Sequence, residues 1–235
     1  MTYVLVHGGG FAGSCWDEIR PFLAEPSHAV DLPGRGVTPG DLDTVTFADF
    51  VASVAEYIIE RELSDVALVG HSMAGLTLPG VAEVVPTRIR RLVFVSCVVP
   101  PHGTSLLEVL GDLSPNAKEA ADRIDDEVVD GHGVLHPDLA RAMFCNDMDE
   151  HMAASTLSRQ VPEAVGILSE PSDLTGLRRP IPRTYIRLLQ DAAVSLDVQN
   201  RMIDNLGDTQ VLDLDAAHMA MISRPQELAE LINAR

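Results

Sequence analysis

Six short β-branched runs alternate along this chain with longer segments of helical period, the pattern of β-α-β units wound into a mostly parallel sheet. The expected strands are Tyr3–His7, His28–Asp31, Val66–Gly70, Arg91–Ser96, Thr184–Leu188 and Gln210–Leu214. Between the second and third, Thr46–Glu62 sets Phe47, Phe50, Val51, Val54, Ile58 and Ile59 on one stripe, with Asp49, Glu56 and Glu60 elsewhere. It reads as an amphipathic helix with Thr46 as its N-cap. Ala74–Val85 is apolar or small up to Glu83, which predicts a helix buried against the sheet directly after a strand. The expected fold class is α/β, a mostly parallel sheet of about six strands flanked by helices.

From Pro100 to about Leu177 the alternation stops. This stretch has no clear strand run, several acidic residues, and turn signals at Pro100-Pro101, His132-Gly133 and Pro171. We expect a helical insertion over 100–177, between core segments 1–99 and 178–235; long insertions at such places serve as lids. At 235 residues and 46% hydrophobic, the chain has enough apolar material for one large domain.

Seventeen Lys and Arg against 35 Asp and Glu give a net charge of −18, so the long-range field repels phosphate backbones and anionic lipids. Neither nucleic acid nor a membrane is an expected partner. No apolar run approaches the roughly 20 residues that span a bilayer. Met1-Thr2 leads straight into Tyr3-Val4-Leu5-Val6 without a basic leader region, as in an unprocessed soluble protein. Cys15, Cys97 and Cys145 are odd in number and widely spaced, unlike a disulfide framework or zinc site, which points to a reducing cytoplasm. Monomer and homodimer both remain open.

The sharpest local signal is Leu68-Val69-Gly70-His71-Ser72-Met73-Ala74-Gly75, an apolar strand that ends in a serine between small residues and continues into a helix. It is one residue short of the G-x-S-x-G elbow, because Ala74 stands where the second glycine is usual. The chemistry needs small neighbours because the serine sits on a strained turn that exposes its Oγ beside backbone N–H groups at a helix start. An ordinary βα turn would read the same way, so other residues must decide. A nucleophilic serine requires a base, and the base an orienting acid. His218 follows the last strand, and Asp191 follows the strand Thr184–Leu188, both at the sheet's carboxyl edge. Asp215 and Asp197 are rival acids, although the first lies close enough to His218 to shape its loop and the second suits a helix start. His7-Gly8-Gly9-Gly10-Phe11 after the first strand could supply the second half of an oxyanion hole, with Gly9 and Met73 N–H groups as donors.

In order along the chain, these motifs resemble the α/β-hydrolase superfamily, in its branch of methylesterases, hydroxynitrile lyases and related bacterial esterases. The resemblance spans nearly the whole sequence. It includes Cys15-Trp16, the Asp31-Leu32-Pro33-Gly34-Arg35-Gly36 turn, Phe144-Cys145-Asn146-Asp147, Gln190-Asp191 and His218-Met219-Ala220-Met221. Membership implies a Ser72, Asp191 and His218 triad, oxyanion donors at Gly9 and Met73, and no cofactor. The expected activity is hydrolysis of a small or medium carboxylic ester, with triad-based lyase chemistry as the alternative and a non-catalytic binding module behind both. The lyases of this branch carry a hydroxylated residue after the first-strand histidine and a lysine after the catalytic one. This chain has Gly8 and Met219, which favours the esterase side. Phe11, Trp16 and Met219 are candidates to line the substrate pocket, since their loops carry proposed catalytic atoms. His102, His132, His136 and His151 lack a metal-ligand spacing and read as solvated histidines, so no metal is expected.

Overall fold

The structure, a computed structural model, describes residues 1–123, 128–129 and 132–234; the side chains of Val128, Val129 and His132 lie outside the described residues. In chain order the described strands are β1 (Thr2–Val6), β2 (Ser27–Val30), β3 (Val66–His71), β4 (Ile89–Val95), β5 (Val128–Val129), β6 (His132–Gly133), β7 (Glu163–Ala164), β8 (Arg183–Leu188) and β9 (Gln210–Leu214). Six of them form one sheet in the order β2-β1-β3-β4-β8-β9, and every neighbouring pair is parallel. Each matches an expected strand to within two residues. The interior strand β3 is buried at every position, as a parallel strand covered on both faces must be.

Helix α1 (Phe47–Glu60) begins as its sequence demands. Thr46 Oγ1 accepts from the Asp49 N–H at 3.1 Å, while Asp49 Oδ2 accepts from the Thr46 N–H at 2.9 Å, a reciprocal capping box. The segment after β3 differs from expectation. In place of one helix over Ala74–Val85, a 3₁₀ turn over Ser72–Leu76 precedes α2 (Leu78–Val84). The cause is Pro79, whose ring would strike the Gly75 carbonyl in a continuous helix but is at ease in the first turn of a new one.

Between β4 and β8 the chain forms α3 (Leu106–Leu113), α4 (Pro115–Asp122), α5 (Pro137–Phe144) and α6 (Glu150–Leu157). It also forms a small antiparallel sheet, β5-β6-β7, where no strand was expected. Strands of two residues show no alternation, and β7 comes from a stretch some thirty residues past β6, so no local pattern announces them. The chain closes with α7 (Leu196–Leu206), α8 (Ala220–Ser223) and α9 (Pro225–Asn233). No helix among the described residues is long and apolar enough to cross a membrane.

Because all six strands run the same way, the chain leaves β1, β3, β4, β8 and β9 at one edge, where parallel sheets bind their ligands. Thr46→Ala should lower unfolding stability by about 1 kcal/mol in urea titration, with an unchanged slope, because one N-cap acceptor is lost.

Candidate active site

β3 ends at His71, and Ser72 follows with φ +54°, a left-handed conformation that costs a non-glycine residue roughly 1–3 kcal/mol. Neighbours hold it there. The Ser72 carbonyl accepts from the Val98 N–H at 2.9 Å. A Cβ on Gly70 would lie 2.5 Å from Leu78 Cδ1 and 3.0 Å from the Ala74 Cβ. Ala74 is thus accommodated because the residue facing it across the turn has no side chain. A Cβ on Gly8 would lie 2.8 Å from the Ser72 Cβ, so the loop after β1 packs directly onto the serine.

His218, on the loop after β9, donates from Nδ1 to Asp191 Oδ2 at 2.7 Å. The same oxygen accepts from Ser96 Oγ at 2.6 Å, and Oδ1 accepts from the Ala193 and Val194 N–H groups at 2.7 and 2.8 Å. Four donors therefore converge on one buried carboxylate and fix its orientation. With Nδ1 carrying the proton, His218 keeps the Nε2 lone pair as a proton acceptor. The Phe144 ring stacks on the imidazole at 5.5 Å, and the His71 Nε2 donates to the His218 carbonyl at 2.9 Å. Burial, and then the neighbouring His218, pushes the His71 pKa well below the usual histidine value. Of the rival acids, Asp215 accepts from Gln190 Nε2 at 2.7 Å, and Asp197 sits in the first turn of α7.

The loop after β1 is anchored by His7. Its Nδ1 donates to the Gly8 carbonyl at 2.8 Å and its Nε2 accepts from the Leu32 N–H at 3.2 Å, an arrangement that only the neutral ring can make. Burial lowers the His7 pKa to about 4. Gly9, Met73, Ser72 and His218 all line one cavity of about 180 Å³, whose walls are mostly apolar and include Leu106, Leu110, Leu113, Met143 and Phe144. Phe11, Trp16 and Met219 do not line it. Phe11 packs edge-on behind Phe144 with 5.6 Å between centroids, Trp16 packs against His71, and Met219 is fully buried. Phe11 and Met219 each follow a residue that faces the cavity, Gly10 and His218, and all three side chains go into the core. Among the described residues, no group of three or more His, Cys, Asp or Glu is arranged to hold a metal ion.

Residues 3–231 match the alpha/beta hydrolase family. The chain belongs to that family. Methylesterase 9 of Arabidopsis thaliana is 30% identical over 249 residues, covering 97% of this chain and 95% of the relative. The carbendazim hydrolyzing esterase of a Nocardioides species is 29% identical, covering 99% and 98%. An extracellular alpha/beta-hydrolase from a Paenibacillus species superposes with a TM-score of 0.88 at 26% identity, over 99% of this chain and 97% of that one.

This hydrolase also holds its site with residues whose role no sequence motif indicated. Ser96, at the end of β4 with φ +41°, reaches Asp191 from 95 positions away. Asp147 Oδ2 accepts from the Ala217 N–H and Ser223 Oγ, and Asn146 donates to the Gln190 carbonyl, so the Phe144–Asp147 stretch braces both the histidine and acid loops. The Phe144-Cys145-Asn146-Asp147 string marked this stretch, but nothing in it indicated what it holds.

The His7 arrangement sets a pH dependence of stability. The unfolded chain binds a proton on this histidine near pH 6.5, whereas the folded ring resists until about 4. Its contribution is therefore complete above pH 6.5 and is lost as pH falls toward 4, by on the order of 3 kcal/mol. Urea unfolding from pH 7 to 4 should show this decline together with one from His71, whose burial lowers its pKa in the same direction, and His7→Gln, which keeps one donor and one acceptor, should make it shallower without abolishing it.

Proposed function

We propose that this hydrolase is a serine esterase for small or medium carboxylic esters with an apolar acyl or alcohol part. Ser72 Oγ attacks the ester carbonyl as His218 Nε2 takes its proton, and Asp191 orients the imidazole and stabilises its cation. The Gly9 and Met73 N–H groups receive the oxyanion. The alcohol leaves with the proton from His218, and water attacks the acyl-serine by the reverse path. The reading is carried by one convergence: a serine at positive φ and a histidine bound to a fully hydrogen-bonded carboxylate face the same apolar cavity.

Two further observations support it over a cyanohydrin lyase. The 2.8 Å approach of a Gly8 Cβ to Ser72 leaves no room for a hydroxylated side chain there, and Met219 is buried away from the cavity. The relatives named above are esterases and hydrolases. Small apolar esters would be the partner this site takes, and three free, buried thiols support a cytoplasmic location.

Ser72→Ala should lower kcat on p-nitrophenyl butyrate by on the order of 10⁴–10⁶ and abolish labelling by a fluorophosphonate, with the fold intact by circular dichroism. Asp191→Asn should lower kcat by on the order of 10⁴, because the amide favours the wrong imidazole tautomer; a larger loss in Asp215→Asn would reassign the acid. Efficient cyanide release from mandelonitrile without ester turnover would overturn the esterase reading.

A further inference from the structure

We propose that Arg35 and Glu163 form a charge-neutral clamp on the oxyanion loop: Glu163 holds Gly10 so that Gly9 presents its N–H to the cavity, and Arg35 cancels the carboxylate's charge. This rests on the esterase reading of the same site. Three separate elements meet here. Gly10 follows β1, Arg35 lies on the turn after β2, and Glu163 belongs to β7 in the 100–177 segment. Glu163 Oε2 accepts from the Gly10 N–H at 2.9 Å, while its Oε1 accepts from the Ala164 N–H at 2.9 Å and pairs with Arg35 Nη2. Two residues earlier, the Val161 N–H donates to the Gly10 carbonyl at 2.9 Å. Gly10, with φ +70°, is therefore gripped at both its N–H and its C=O by one short stretch.

The carboxylate lines the cavity and lies against Gly9, since Oε2 would be 3.3 Å from a Cβ built there. An uncompensated negative charge at that place would oppose the charge that develops on the carbonyl oxygen during attack. Arg35 supplies the compensation from a fully buried position, with Nη1 donating to the Pro33 carbonyl at 2.7 Å and the guanidinium 4.8 Å over the Phe50 ring. Its Nε has no hydrogen-bond partner among the described residues. Buried ion pairs add little net stability over apolar residues of like size, so fold stability alone does not account for this one.

The test compares two double variants of the full chain. R35M/E163Q removes both charges but keeps an oxygen that can accept from Gly10; R35M/E163M removes the acceptor as well. The clamp predicts kcat within about threefold of wild type for the first. For the second it predicts a fall of about tenfold or more, with KM nearly unchanged, a parallel weakening of a trifluoromethyl ketone inhibitor, and faster amide exchange at Gly10 by NMR. R35M alone, which leaves the carboxylate unpaired, should lose more kcat than R35M/E163Q. Equal kcat and equal ketone affinity in the two double variants, or losses confined to KM, would overturn the clamp. Fluorophosphonate labelling of Ser72 in the unsubstituted chain separates the two readings: its absence overturns the esterase reading and this one with it, whereas normal labelling with equal double variants overturns the clamp alone.

Discussion

The hydrogen bond from His218 Nδ1 to Asp191 Oδ2 joins two loops that leave adjacent parallel strands, and most of the site is built around it. Pairing between β8 and β9 continues past the strands, with the Leu189 N–H on the Leu214 carbonyl and the Gln190 N–H on the Ala216 carbonyl. The two loops therefore diverge only after the sheet has fixed their spacing. Ser96 and two backbone amides then occupy the remaining acceptor positions of the carboxylate, so it has one orientation in which all its partners are satisfied.

Two of the four described non-glycine residues at positive φ lie at neighbouring strand ends. Ser72 after β3 and Ser96 at the end of β4 both lie at positive φ, and the chain past Ser96 returns through Val98 to bind the Ser72 carbonyl. One turn thus supports the other. The two serines share a left-handed backbone but sit in different places, Ser72 at the cavity and Ser96 buried behind Asp191. Strained backbone of this kind persists where the surrounding packing over-determines it, and here Gly70, Ala74 and Leu78 leave the turn no slack.

The 100–177 segment gives the site most of its apolar wall and, through Glu163, a buried ion pair with Arg35. A guanidinium with no exposed side-chain surface, its pKa brought down to about 10 by burial, sits against a carboxylate that itself binds the glycine loop. In such low-dielectric surroundings either charge alone would be felt strongly by a reacting ester, whereas the pair presents little net field. Phe144, Asn146 and Asp147 tie the same segment to the loops that carry His218 and Asp191, so the wall and these two side chains are held as one assembly.

Local sequence pattern was enough to place the parallel strands, the capped helix α1 and the strand ends that carry Ser72, Asp191 and His218, because alternation, helical period and turn chemistry all act within a few residues of one another. It also marked Gly70 and Ala74 as the small residues of the elbow. What required the tertiary structure were relations across long stretches of chain: Ser96 on Asp191, Asp147 beneath the histidine loop, and Glu163 between Arg35 and Gly10. The small sheet β5-β6-β7 and the core-facing placement of Phe11, Trp16 and Met219 belong with them. Each of these depends on which side of a loop faces the cavity, and that is decided when distant segments pack against the sheet edge, a choice that no periodicity along the chain records.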